Sequence, residues 1–199
     1  MEQLYKFLGY NRDFENIDLT SILSKFEYEI VDEVSHADRS SVKPLTNKTG
    51  ALFWQKYPPG LAFARNFYIH NKDVCNAVTN ILISMQHNIN EGDDYLSNFF
   101  RNIRIDARSI NLIRVSGAVQ AHRDVTRNYS LSIGMDNSAD YKTYITSCPN
   151  LEEYSESMRQ YYTVGRNEIY ITAVKYVHGV IPISDDIKTV RYIFTYNIV

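Results

Sequence analysis

From Ser109 onward the chain is a succession of short runs rich in β-branched and aromatic residues: SINLIRVSGAVQAHRD, RNYSLSIGM, DYKTYIT, NEIYITAVKYVHGVIPI and TVRYIFTYNI. Polar turns such as DNSAD and SDD separate them. Runs of this kind form strands, and their close spacing favours an antiparallel sandwich or a jelly-roll barrel over a helical bundle. The aromatic balance agrees: 16 tyrosines and 9 phenylalanines stand against the single Trp54, with the tyrosines concentrated from position 129 onward. Such residues suit half-buried strand faces. The expected fold is mostly β with flanking helices, a small jelly-roll barrel over residues 109–199. Between its strands, 147–167 is a longer polar excursion, expected as a loop or short helix at the barrel mouth.

Residues 1–108 read as a mixed helical and irregular buttress on that core, within a single domain of 1–199. Positions 1–34 show little periodicity and suggest irregular structure with a strand or two, followed by the polar loop SHADRSSVKPLTNKTG. Pro58, Pro59 and Gly60 break any element across ALFWQKYPPGLAFARNFY, whose aromatic residues are expected as a packing plug. Val74, Val78, Ile81, Leu82 and Met85 recur at helical spacing, with Asn71 or Asp73 as a cap. A shorter helix covers DDYLSNFFRNI, opened by Asp93 or Asp94 and turning Leu96, Phe99 and Phe100 inward.

The charge balance, 21 basic against 23 acidic residues, provides no broad field for a nucleic acid or a membrane surface. The stripe Arg101, Arg104, Arg108 and Arg114 leaves a local nucleic-acid contact open. No apolar run reaches the roughly 20 residues needed to span a bilayer, and MEQLYKFLGY lacks the basic start and apolar core of a signal peptide. Cys75 and Cys148 lie too far apart for a CxxC pair and are expected as buried thiols in a reducing, cytoplasmic setting.

His122 and Asp124 are one residue apart in AVQAHRDVT. On a strand, positions i and i+2 share a face, so an imidazole and a carboxylate would stand side by side. A third ligand must come from across the barrel, and His178 in TAVKYVHGVIPI is placed for it. His36 and His70 sit in polar or irregular surroundings and His87 ends a predicted helix. Two histidines and one carboxylate on one face of an octahedral metal leave three positions open, which suits non-haem Fe(II) and oxygen chemistry. A structural zinc would take four protein ligands. The HxD triplet alone is common by chance, and the bland alternative is a solvated pair beside a core histidine. Arg191 adds weight. If SDD turns strand 173–183 back onto strand 188–198, position 191 lies opposite position 180 and Arg191 points inward with His178 and Val180. A buried guanidinium needs an anion, and its fork matches a carboxylate. The last strand contains no Asp or Glu, so a bound ligand is the expected partner.

These residues resemble the double-stranded β-helix core of the 2-oxoglutarate- and Fe(II)-dependent oxygenases, over roughly residues 109–198. Within that superfamily, GRNEIYITAVKYVHGV followed by VRYIFTYNI is similar to the prolyl and aspartyl/asparaginyl hydroxylases. The resemblance implies that His122, Asp124 and His178 ligate iron and that Arg191 receives the distal carboxylate of 2-oxoglutarate. Arg127 and Tyr129 are further candidates for holding the cosubstrate. In RNYSLSIG, Tyr129, Leu131 and Ile133 face one way and Ser130 and Ser132 the other, and the pattern leaves open which set faces the iron. Two departures stand out. Ile193 occupies the position, two after the arginine, where many relatives carry a small hydroxyl residue; Thr195 shares that face farther along. Asp124 is present, whereas relatives nearest the aspartyl hydroxylases commonly lack the carboxylate. The implied reaction consumes molecular oxygen and 2-oxoglutarate and hydroxylates an unactivated C–H bond of a peptide or small molecule, with Tyr154, Tyr161 and Tyr162 as candidate groove residues. Two other classes stay open: a cupin-like metalloenzyme without 2-oxoglutarate, and a non-catalytic jelly-roll binding protein.

Overall fold

The computed structural model describes residues 3–24, 27–31, 51–57, 61–64, 67–90, 94–187 and 189–198. The polar loop 35–50, with His36, lies outside the described residues, as do Pro58, Pro59, Gly60 and the side chains of the expected aromatic plug at 51–63. In chain order the elements are β1 (Tyr5–Tyr10), α1 (Leu19–Ser24), β2 (Glu27–Val31), β3 (Ala51–Tyr57), β4 (Leu61–Ala64), α2 (Phe67–His70), α3 (Lys72–Asn88) and α4 (Tyr95–Asn102). There follow β5 (Ile110–Val115), β6 (Val119–His122), β7 (Tyr129–Gly134), β8 (Tyr141–Ile145), β9 (Gln160–Thr163), β10 (Glu168–Thr172), β11 (His178–Pro182) and β12 (Arg191–Ile198).

The strands form two sheets. The larger has the order β1-β10-β7-β12-β5-β4-β3-β2 and the smaller β6-β11-β8-β9. All pairings are antiparallel except β2 with β3. From β5 onward each strand crosses to the other sheet, apart from the β8–β9 hairpin. Gly117, at φ +90°, takes the chain around the β5–β6 corner in a backbone region that favours glycine. The N-terminal part thus adds four strands to the larger sheet beside its helices, and the excursion at 147–167 contains the strand β9.

The expected barrel is not closed among the described residues: β1 and β2 edge one sheet, and β6 and β9 the other. Side chains bridge the sheets instead. Tyr5 of β1 stacks on Tyr162 of β9 at 4.3 Å between centroids, and the Tyr162 hydroxyl meets Thr172 of β10 at 2.5 Å. The expected β11–β12 hairpin is also absent: β11 pairs with β6 and β8, and β12 with β5 and β7. Residues 183–190 carry the chain across to the facing sheet, so Arg191 lies opposite Val115 and not Val180.

Alternation along the larger sheet separates two environments. Leu131, Ile133, Ile169, Ile171, Phe194 and Tyr196 turn outward and share one core with Val78, Leu82 and Met85 of α3 and Leu96 and Phe100 of α4. The apolar stripe predicted for α3 is the face it buries. Asn71 occupies its N-cap position without a capping bond, whereas Asp94 caps α4 by accepting from the backbone N–H groups of Leu96 and Ser97 at 3.1 and 3.2 Å. The opposite face of the larger sheet, carrying Ser132, Ile193 and Thr195 in register, looks toward the smaller sheet. Cys75 and Cys148 are buried free thiols. Among the described residues no helix is long and apolar enough to cross a membrane.

Candidate metal centre

His122 ends β6 and His178 begins β11, directly opposite each other across the ladder. Their ring centroids are 4.3 Å apart. A register shift lies between this pair and the pair Val119–Val180. The extra residue on β6 lets both Val119 and His122 face inward, an outcome that strict alternation forbids. Val119 packs there with Val115 and Tyr141. Asp124 lies past the end of β6, so its proximity to His122 comes from the loop and not from the pleat. The Asp124 backbone N–H donates to the Val174 carbonyl at 3.0 Å, joining this loop to the segment that leads into His178.

One ligand atom each from His122, Asp124 and His178 lies within 4.8 Å of the others, a group able to hold a metal ion. Each histidine places Nδ1 2.8 Å from a backbone carbonyl two residues earlier, Gln120 for His122 and Tyr176 for His178. A carbonyl only accepts, so Nδ1 carries a proton and Nε2 is the nitrogen left as a candidate ligand atom. Burial, then the neighbouring His122, pushes the His178 pKa down to about 4, leaving the neutral ring a metal requires. Next to it, Gly179 has no room for a Cβ, which would meet the Tyr144 hydroxyl and, at 2.7 Å, the Val119 carbonyl. The absence of a side chain lets β11 sit close between its neighbours.

Arg191 projects from β12 into the space between the sheets and is 1% exposed. Its Nη2 donates to Thr143 Oγ1 at 3.4 Å, while Nε and Nη1 have no hydrogen-bond partner. Among the described residues no carboxylate pairs with it. Burial lowers its pKa to about 10, against the opposing influence of Tyr162 and Tyr141, so it stays cationic at neutral pH. Thr143 lies opposite Val180, and Ile145 opposite His178. The arginine's contact is therefore one two-residue repeat, ~6.8 Å, along the strand from the metal ligands.

The remaining candidates divide. Arg127 Nη1 lies 3.5 Å from Asp124 Oδ2, at the triad. Tyr129 is a correction: it stands on the outer face of β7 against Phe99 of α4, 4.7 Å between centroids, because β7 turns Ser130 and Ser132 toward the smaller sheet. Tyr162 is buried between the sheets, and Tyr154 accepts from Arg159 Nε at 2.6 Å. Arg108 of the basic stripe is held by Asp106 at 2.6 Å. Thr143 is the residue that sequence reasoning missed. Its strand was legible in DYKTYIT, but nothing local marks which arginine it will meet.

Searched against family models, the sequence matches none, and no curated protein matches it. Solved structures do show similarity. An oxidoreductase of the 2OG-Fe(II) oxygenase family from Burkholderia pseudomallei is 12% identical, over 57% of this chain and 56% of that chain, with a TM-score of 0.36. AviO1 from Streptomyces viridochromogenes is 10% identical, over 98% of this chain and 89% of that one, with a TM-score of 0.48. A prolyl-4-hydroxylase from Pseudomonas putida is 11% identical, over 63% and 65%, with a TM-score of 0.36. The chain thus spans little more than half the length of the Burkholderia protein. At these identities the likeness concerns the fold alone.

Proposed function

We propose that this chain is an Fe(II)- and 2-oxoglutarate-dependent dioxygenase that hydroxylates an unactivated C–H bond of a peptide or a small molecule. The observation that carries this reading is Arg191, a buried cation with two idle N–H groups, one strand repeat from a two-histidine, one-carboxylate cluster. A dianionic ligand with a carboxylate at one end and a chelating 2-oxo acid at the other satisfies both. His122 and His178 would hold iron through Nε2 and Asp124 through a carboxylate oxygen, leaving the positions that a 2-oxo acid and oxygen need. When bound, the iron and its cosubstrate supply the oxidative step that couples decarboxylation of 2-oxoglutarate to hydroxylation. The protein's own part is positional. The Nδ1 bonds to Gln120 and Tyr176 lock both imidazoles, the Asp124–Val174 bond fixes the loop, and Arg191 orients the distal carboxylate.

Anaerobic titration with Fe(II) and 2-oxoglutarate tests the reading through the visible metal-to-ligand charge-transfer band. The parent should develop the band, His178→Ala should lose it, and Arg191→Ala should require at least about 100-fold more 2-oxoglutarate. Metal binding without a band would leave a metalloenzyme that uses no 2-oxo acid.

A further inference from the structure

We infer that Thr143 gives the distal carboxylate of the cosubstrate its second hydrogen-bond donor, so that the two sheets clamp the anion between them; this rests on the cosubstrate reading above. The inference follows by elimination around Arg191. On β12 the next residue of the same face is Ile193, which is apolar. Across the ladder stand Val115 and Ile113, also apolar. On the facing sheet the Tyr141 hydroxyl is committed to the Thr189 carbonyl at 2.6 Å, and the Tyr162 hydroxyl is engaged with Thr172 at 2.5 Å. Val180, opposite Thr143, offers nothing polar.

Among the described residues, Thr143 Oγ1 is the side-chain polar atom at hydrogen-bond distance from the guanidinium, accepting from Nη2 at 3.4 Å. A hydroxyl that accepts one bond still has its own proton to donate. An anion seated in a fork of the guanidinium, Nη2 with either Nε or Nη1, lies beside that hydroxyl and receives it as a third donor. The polar contact that Ile193 cannot make from the arginine's own strand thus comes from β8. Thr195, on the same strand face as Arg191, is also buried with an unpartnered hydroxyl. It lies four residues along β12, about 13 Å from Arg191 at strand spacing, and so is too distant to share that carboxylate.

The test is anaerobic binding to the Fe(II)-loaded full chain of two acids, 2-oxoglutarate and 2-oxopentanoate, which has the same carbon count and lacks the distal carboxylate. Thr143→Val should weaken 2-oxoglutarate about tenfold, and Thr143→Ser should stay within about twofold of the parent. Fe(II) affinity and 2-oxopentanoate affinity should be the same in the parent and in T143V. Equal weakening of both acids would overturn the inference, since Thr143 would then act only on the shape of the site. Unchanged 2-oxoglutarate binding in T143V would overturn it while leaving the cosubstrate reading standing. A parent that binds neither acid would remove the reading and the inference together.

Discussion

Arg191 illustrates how a single residue can be maintained against its own cost. A fully enclosed guanidinium with two unpartnered N–H groups gives up its hydration and recovers little within the protein. Arg191→Met keeps much of the volume and removes the charge, so the ligand-free protein should gain about 1–3 kcal/mol in urea unfolding. The same variant should lose all stabilisation by added 2-oxoglutarate. A less stable R191M would mean that contacts within the protein already satisfy the arginine, and the anion site would fall. That Arg191 has no acid on its own strand was readable from the sequence. Its partner was not, because Thr143 is 48 residues away in sequence.

At the scale of elements, the geometry of β11 and the cap of α4 make separate predictions. Gly179→Ala would drive a Cβ against the Tyr144 ring and hydroxyl and the Val119 carbonyl, a backbone group that cannot rotate away. The strand must then move off β6, parting His178 from His122. A loss of about 1–3 kcal/mol in stability should accompany weaker Fe(II) or Mn(II) binding in a metal titration. Unchanged metal affinity would show that the two histidines tolerate that shift. For α4, burial alone would raise the Asp94 pKa, but hydrogen bonds from Lys6 and Ser97 outweigh it and hold the carboxyl below its ordinary value. The folded pKa is depressed, so this stabilisation is present above the ordinary carboxylate pKa and disappears as pH falls through the folded value. Asp94→Ala should cost about 1 kcal/mol at pH 7 through loss of the cap, and less at an acid pH that protonates the parent carboxyl. An equal cost at both pH values would assign the effect to packing. The cap was legible from DDYLSNFF because an N-cap is a local device, whereas the vacancy at Gly179 depends on two other strands.

For the whole molecule, the metal site joins segments that lie far apart along the chain. His122 ends one strand of the smaller sheet, Asp124 lies just past that end, and His178 begins the neighbouring strand, 56 residues after His122. An ion that binds the folded chain and not the unfolded one should stabilise it by ~2.7 kcal/mol at 100 times its dissociation constant. Thermal unfolding with and without a chelator measures this, and H178A should show no difference between the two conditions. The sequence alone determined what depends on short-range chemistry: the strand-rich half, the apolar stripe of α3, the cap of α4, and three ligand-type residues whose spacing suits one metal. The lack of an acid on the strand of Arg191 was also legible, but its inward face was read from a hairpin that does not exist, so that orientation belongs to the tertiary structure. The tertiary structure decided the rest. Strand runs specify which faces are apolar but not which strands pair, because ladder hydrogen bonds are made by backbone groups common to every residue. The crossing at 183–190 therefore placed β11 and β12 in facing sheets, set Tyr129 against the helices, and brought Thr143 to Arg191. A β-bulge and a loop bond, invisible to a period-two pattern, brought His122 and Asp124 to His178.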